Sequence, residues 1–282
     1  MCLMSITDSE LSQIIQTIRS VSAYDFTEYS EKSLKRRFTK ILMDYRITTD
    51  GLLHQLRTQK KFVEEIVRKV TVNTTEMFRD PPIWISLRSE ILPKLAQKPL
   101  IRIWHAGCST GQEVYSMIIL LSEMGLLNKT ELYCTDLNTD AIDVAKKGVY
   151  KYRFNIGYLD NFDKVIRSDV NNPLIVRDVP YTKYFVIDDV NDKLMLQKPL
   201  LEKPIFAKLD LVKDGNIFSV NFDLIMCRNV IIYFNYGLQN KIFQLFHGSM
   251  SSDGFLMLGF HESILGPFSA KFEKKGYYYL RR

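Results

Sequence analysis

The sequence is poor in the features that would make it a disulfide, metal or membrane protein. Its four cysteines, Cys2, Cys108, Cys134 and Cys227, form no C-x-x-C pair and no zinc spacing. Thiols in a reducing compartment are therefore expected, with no disulfide and no metal. No apolar run approaches the roughly 20 residues that span a bilayer, and the first residues lack the basic start and apolar core of a signal peptide. A cytoplasmic protein without direct membrane insertion is expected. Repeats and low-complexity tracts are missing, and no glycine occurs between Tyr158 and Asp214. What is present, 46% hydrophobic residues and 17 Phe in 282 residues, excludes a disordered or collagenous chain.

The first seventy residues read as helices without an intervening strand pattern. Thr7 or Asp8 caps a helix through Leu11, Ile14, Ile15 and Ile18, and Leu34, Phe38, Ile41, Leu42 and Tyr45 give a second its apolar face. Asp50 begins a third with Leu52, Leu53 and Leu56, and Phe62, Val63, Ile66 and Val67 supply a fourth. The second helix carries Lys32, Lys35, Arg36, Arg37 and Lys40 with no acidic residue among them. This basic stripe is either a solvated face or a dock for an acidic partner: nucleic acid, an anionic membrane or a glutamate-rich protein helix. Thr71 to Pro82 is polar and closed by two prolines, which reads as a linker.

Beyond it, strand patterns at Ile101–His105, Glu131–Asp136, Ile205–Leu209, Phe222–Cys227 and Phe255–Phe260 alternate with helical ones, and Lys271–Arg282 reads as a closing hairpin. Such alternation predicts an α/β, Rossmann-like domain with a mostly parallel sheet. Between Tyr150 and Lys208, β runs at Tyr184–Ile187 and Lys193–Gln197 flank a turn-prone Asp188–Asp192, a small antiparallel insertion that is a flap or a partner-binding module. The expected organisation is a helical domain over 1–70, a linker over 71–82 and a domain over 83–282 with its insertion at about 151–208.

Chemistry concentrates at Ile101–Tyr115, where a strand breaks into Gly107-Cys-Ser-Thr-Gly111 and then a helix. Glycines there permit positive φ and close ligand approach, and a helix N-terminus favours a polar or anionic ligand. Glu113, just inside that helix, would repel a pyrophosphate and suits an amino group, as in the methionine part of S-adenosylmethionine (SAM). Asp136 ends the second strand, where an acidic residue can accept from ribose hydroxyls, or can cap the helix starting near Thr139.

Five segments then share a resemblance. Asn73-Thr-Thr-Glu-Met-Phe-Arg79, Ala106–Ser116, Cys134-Thr-Asp-Leu-Asn138, Cys227-Arg-Asn-Val-Ile-Ile-Tyr-Phe234 and Gly259-Phe-His-Glu-Ser263 resemble, in order, the signatures of the CheR-type chemotaxis receptor glutamate methyltransferases. The resemblance spans essentially the whole chain. It implies a class I SAM-dependent methyltransferase that esterifies glutamate carboxylates of a chemoreceptor and releases S-adenosylhomocysteine. It also implies cofactor contacts at Asn73, Thr75, Arg79, Gly107, Glu113, Asp136, Asp210, Leu211, Arg228 and Asn229, with Arg79 and Tyr233 near the transferred methyl. The basic stripe, Lys35, Arg36, Arg37 and Lys40, would meet the Glu/Gln-rich receptor helices, and a monomer that binds no nucleic acid is expected.

The chain departs from the family pattern in places. Val114 replaces a usual proline, Asp210 stands where Asn is usual, and the insertion has no glycine loop, so tethering to a receptor's C-terminal pentapeptide is not expected. A nucleic-acid methyltransferase would carry Asn/Asp-Pro-Pro-Tyr/Phe where Cys227-Arg-Asn-Val230 stands. A non-catalytic SAM-binding signalling module, or an enzyme acting on another signalling protein, is the remaining alternative.

Overall fold

Thr7 opens the first helix with a reciprocal cap: its hydroxyl accepts from the Glu10 backbone N–H at 3.2 Å, and the Glu10 carboxylate accepts from the Thr7 N–H at 2.9 Å. The computed structural model describes residues 6–71, 75–169 and 176–282. Its first compact unit comprises Met1–Val72 with Val230–Ile242. Helices α1 (Asp8–Val21), α2 (Glu31–Tyr45), α3 (Thr49–Thr58) and α4 (Lys60–Val70) each bury the predicted stripe, such as Leu11, Ile14, Ile15 and Ile18 on α1.

The second segment of this unit has no counterpart in the expected 1–70 boundary. It is held by short-range contacts to the chain just before α2. Ser30 N–H donates to the Tyr233 carbonyl at 2.8 Å, and Asn235 N–H donates to the Glu28 carbonyl at 2.9 Å. Tyr29 bridges Phe234, their rings packing edge-on at 5.0 Å, and Lys241 pairs with Glu28 at 2.6 Å.

The second unit comprises Asn73–Asn229 with Phe243–Arg282. Pro81 and Pro82 do not close a linker; they open helix α5 (Pro81–Ser86), where a missing N–H costs nothing. A π turn over Leu87–Ile91 leads on to α6 (Leu92–Leu95). Then follow β1 (Ile101–Ala106), α7 (Gln112–Glu123), β2 (Thr130–Asp136) and α8 (Thr139–Lys147). Next come β3 (Val149–Lys151), α9 (Tyr152–Phe162), β4 (Phe185–Asp188), β5 (Lys193–Leu196), α10 (Lys198–Leu201) and β6 (Pro204–Lys208). The chain ends with β7 (Phe222–Cys227), α11 (Tyr236–Ser249), β8 (Met250–Leu258), β9 (Phe272–Lys275) and β10 (Tyr278–Arg281).

Seven strands form one sheet in the order β6-β2-β1-β7-β8-β10-β9. The pairs from β6 to β8 are parallel, and the β9–β10 hairpin closes against β8 antiparallel. All six residues of β7 are buried, as a central parallel strand covered on both faces requires. The insertion is a separate antiparallel sheet, β3-β5-β4, accompanied by α9, which the sequence pattern did not announce. Its 188–192 turn is built without glycine: Asn191 donates twice to the Asp188 carboxylate, and Asp192 takes the left-handed conformation at φ 55°. Cys108, Cys134 and Cys227 are buried free thiols whose pKa is pushed well up by burial, so they act as small core residues; Cys2 lies outside the described residues. Among the described residues, no helix is long and apolar enough to cross a membrane.

Candidate functional site

Parallel strands β1 and β2 run in register to Ala106 and Thr135, so both turn away at the same edge of the sheet. There Gly107 and Cys108 N–H both donate to the Thr135 carbonyl, at 2.8 and 2.9 Å. Three residues of the turn have positive φ: Gly107 (85°), Ser109 (50°) and Gly111 (91°). The carboxylate of Asp136 organises it. One oxygen accepts from Ser109 N–H and the other from Asn138 N–H, each at 2.8 Å. Burial pushes the Asp136 pKa up from its ordinary 3.8, against the pull of those N–H donors and that of Leu137. The cap of α8 is Asn138, whose side chain accepts from Asp140 and Ala141 N–H, so Asp136 is not spent on capping.

Gly111 is required twice over. A Cβ there would lie 2.7 Å from Ala145 Cβ and 3.1 Å from Ala145 Cα, at a φ that side chains rarely adopt. Gly111→Ala is expected to destabilise the protein by about 2–4 kcal/mol, combining backbone strain with overpacking. Gly125→Ala, at φ 69° with nothing within 4 Å, isolates the backbone part. Urea unfolding of both checks this, and equal losses would mean that the α8 contact is not felt.

Behind the turn lies a buried ionic clamp. The side chain of Arg228 is 1% exposed; its Nη2 donates to Asp80 Oδ2 at 2.8 Å and to the Arg79 carbonyl at 2.7 Å, while Nη1 reaches Glu113 Oε2 at 3.3 Å. His105 Nδ1–H donates to the other Glu113 oxygen at 2.9 Å, the tautomer that an ionised acceptor requires. Burial alone would raise the Glu113 pKa, but His105 and Arg228 outweigh it and hold the group below its ordinary 4.5. This stabilisation is therefore present above 4.5 and lost as pH falls through the lowered folded value.

The clamp also shapes the approach to α5. Phe78 (φ 50°) and Asp80 (φ 57°) are both left-handed. They are held by Phe78 N–H donating to Ser116 Oγ at 2.8 Å and by Trp84 Nε1–H and Arg228 converging on the Arg79 carbonyl. Arg79 itself extends from this braced backbone, 34% exposed in its side chain, with Glu76 4.0 Å away.

The other expected residues fall as follows. Asn73 lies outside the described residues. The Thr75 carbonyl accepts from Tyr158 OH at 3.4 Å. Asp210 follows β6 next to Asp136, whose carbonyl accepts from Leu209 N–H at 3.1 Å; burial raises its pKa, and Leu211 is half-buried. Asn229, at φ 59°, donates its N–H to Glu262 Oε2 at 2.7 Å, the oxygen that also accepts from Gly259 N–H. Tyr233 is half-buried in the helical unit.

Of the basic stripe, Arg36 and Lys40 are exposed and Lys35 pairs with Asp8. Arg37 does not belong to an outward docking face. It is 7% exposed, with its guanidinium over the Tyr233 ring, because it falls between Leu34, Phe38 and Ile41 on the buried side of α2.

Comparison with known proteins decides the family. The sequence matches the family described as "CheR methyltransferase, SAM binding domain" over residues 73–158 and 174–278. The protein named "Putative methyltransferase Cher3" of Pseudomonas putida is 36% identical over 269 residues, covering 95% of this chain and 93% of its own. The chain belongs to the CheR methyltransferase family. Two "Chemotaxis protein methyltransferase" relatives agree: that of Borreliella burgdorferi, 29% identical over 93% of this chain and 90% of its own, and that of Listeria innocua serovar 6a, 27% identical over 86% of each. The chain is thus a SAM-dependent methyltransferase, with a seven-stranded, mostly parallel sheet and a separate small antiparallel one.

The residues of this CheR chain fit the cofactor. Ser109 Oγ is buried without a hydrogen-bond partner among the described residues, and the Asp136 oxygens keep lone pairs beyond the two N–H groups they accept. An unsatisfied hydroxyl beside a carboxylate is costly unless a ligand completes it. Three groups with evident work here were not singled out from the sequence: His105, Asp80 and Glu262. Asp80 and Glu262 act on partners more than 30 residues away, and His105 reaches Glu113 only because the glycine turn folds α7 back over β1, which local patterning does not reveal. Among the described residues, no cluster of three or more His, Cys, Asp or Glu could hold a metal ion.

Proposed function

We propose that this enzyme methylates glutamate side chains on the cytoplasmic helices of a chemoreceptor, acting in sensory adaptation. The observation that carries the reading is the joint presence of a braced Arg79 and an ionised, clamped Glu113 behind the glycine turn of a CheR-family domain. Bound SAM would supply the methyl, on a sulfonium whose sulfur would keep the electron pair of the broken C–S bond while the carboxylate gained the C–O bond.

A glutamate with a pKa of about 4.3 is already the nucleophile at neutral pH. The chain therefore needs no general base, and its task is orientation. Asp136 and Ser109 would hold the ribose, Asp210 and Leu211 the adenine, and Glu113 the amino group. Arg79 orients the incoming carboxylate by charge-assisted hydrogen bonds, and Tyr233 donates a further one.

A radiolabelled methyl-transfer assay tests this. Base-labile label on receptor is expected, with Arg79→Ala and Tyr233→Phe both slow; label on nucleic acid, or cofactor binding with no transfer, would sink the reading.

Lys32, Arg36 and Lys40 recur every four residues and are all exposed, which makes them the outward stripe of α2. We expect this stripe to meet the receptor's acidic helices. Arg36→Glu with Lys40→Glu should raise the receptor KM roughly tenfold at low salt and less as salt rises, since exposed charge mainly steers encounter. Cofactor affinity, measured by calorimetry, should not change.

A further inference from the structure

Arg37 places a charge where an apolar residue would serve the helical unit. Its Nη1 donates to the Val70 carbonyl, its Cζ lies 4.0 Å from the centre of the Tyr233 ring, and its Nε and Nη2 are buried without a well-aligned acceptor among the described residues. Burial lowers the guanidinium pKa, and the Tyr233 side chain opposes that shift. No carboxylate partner repays the desolvation of this charge, and its direct hydrogen bond is to one carbonyl, so it contributes little net stability. Stability is therefore a poor reason for an arginine here, and the ring is the better one.

The backbone of Tyr233 is already fixed. Ser30 N–H holds its carbonyl at 2.8 Å, and Phe234 packs on Tyr29. Ser30 is the N-cap of α2 and Arg37 lies two turns on, so the start of α2 meets the Tyr233 backbone and the helix itself meets the ring. A guanidinium stacked on the ring face restrains rotation of the Tyr233 side chain as well. We propose that Arg37 is the positioning residue of Tyr233, holding the ring by a buried cation–π contact so that its hydroxyl points in one direction. This rests on the reading of Tyr233 as a group that serves methyl transfer.

The test compares Arg37→Met, Arg37→Lys, Tyr233→Phe and the Arg37→Met/Tyr233→Phe double variant, by steady-state kinetics with SAM and a receptor cytoplasmic fragment and by thermal unfolding. Arg37→Met should melt close to the parent temperature, the relieved desolvation of the charge offsetting the hydrogen bond lost at Val70, with kcat about tenfold lower and both KM values unchanged. Arg37→Lys keeps a cation over the ring and should recover part of kcat; it reads the same kcat-against-KM split if methionine lowers the melting point. With no hydroxyl to aim, Arg37→Met should cost nothing further in the Tyr233→Phe background. Losses that multiply in the double variant, or a raised, salt-sensitive receptor KM, would overturn the proposal. A slow Tyr233→Phe beside an Arg37→Met at the parent rate overturns it alone, whereas Tyr233→Phe at the parent rate removes the reading of Tyr233 and the proposal with it.

Discussion

Arg228→Met is expected to cost about 3–5 kcal/mol of stability, the range for breaking a buried ion pair from one side. The guanidinium is the shared partner of two carboxylates and a carbonyl, and methionine fills its volume without replacing any of those donors. Glu113 then keeps only His105 on a side chain that is 15% exposed, while Asp80, at 31%, is partly relieved by water. Glu113→Gln removes the stranded charge, so the double variant should lose less than the sum of the two singles, by more than about 0.5 kcal/mol. Urea unfolding of the four proteins measures this directly. Additive losses would show that Arg228 and Glu113 are neighbours without coupling. The folded fraction of Arg228→Met should also turn over slowly, because the Arg79 carbonyl loses one of the two donors that hold it.

Asp136→Asn should weaken binding of S-adenosylhomocysteine about 100-fold, the loss that the proposed charge-assisted hydrogen bonds to ribose imply. Asparagine offers one oxygen where the carboxylate offers two, so one of Ser109 and Asn138 also loses its acceptor and the turn loosens. The pH dependence gives a second reading. The ionised form accepts from hydroxyls, and burial raises the pKa above 3.8, so affinity should fall on acidification before an ordinary carboxyl would titrate. Calorimetry across the acidic range should show this slope in the parent and a shallower one in Asp136→Asn, where Glu113 and Asp210 still titrate. The same slope in both would place the titrating group elsewhere.

The fold was largely legible because its signals are local. Strand patterns at β1, β2, β6 and β7 and helical stripes in α1 to α4 were read within a residue or two, since each reports its own buried face. The two prolines misled because a polar run ending in Pro-Pro looks like a stop, whereas proline equally well begins a helix. Arg37 was readable and misread: Leu34, Arg37, Phe38 and Ile41 follow i, i+3, i+4, i+7, which puts the arginine in the apolar stripe whatever its charge. The joining of Val230–Ile242 to the helical unit had no such signal, since it rests on pairings across some two hundred residues such as Ser30 with Tyr233.

That joining changes what counts as an exchangeable part of the enzyme. Anyone retargeting it on the proposed reading would graft a foreign helical domain at the chain boundary near residue 72. The graft would import a foreign basic stripe but separate Ser30 and Arg37 from the segment Val230–Ile242, whose Tyr233 they contact. The heritable module is discontinuous, two pieces of sequence that must travel together, and a chimaera made with only the first should dock well and turn over poorly.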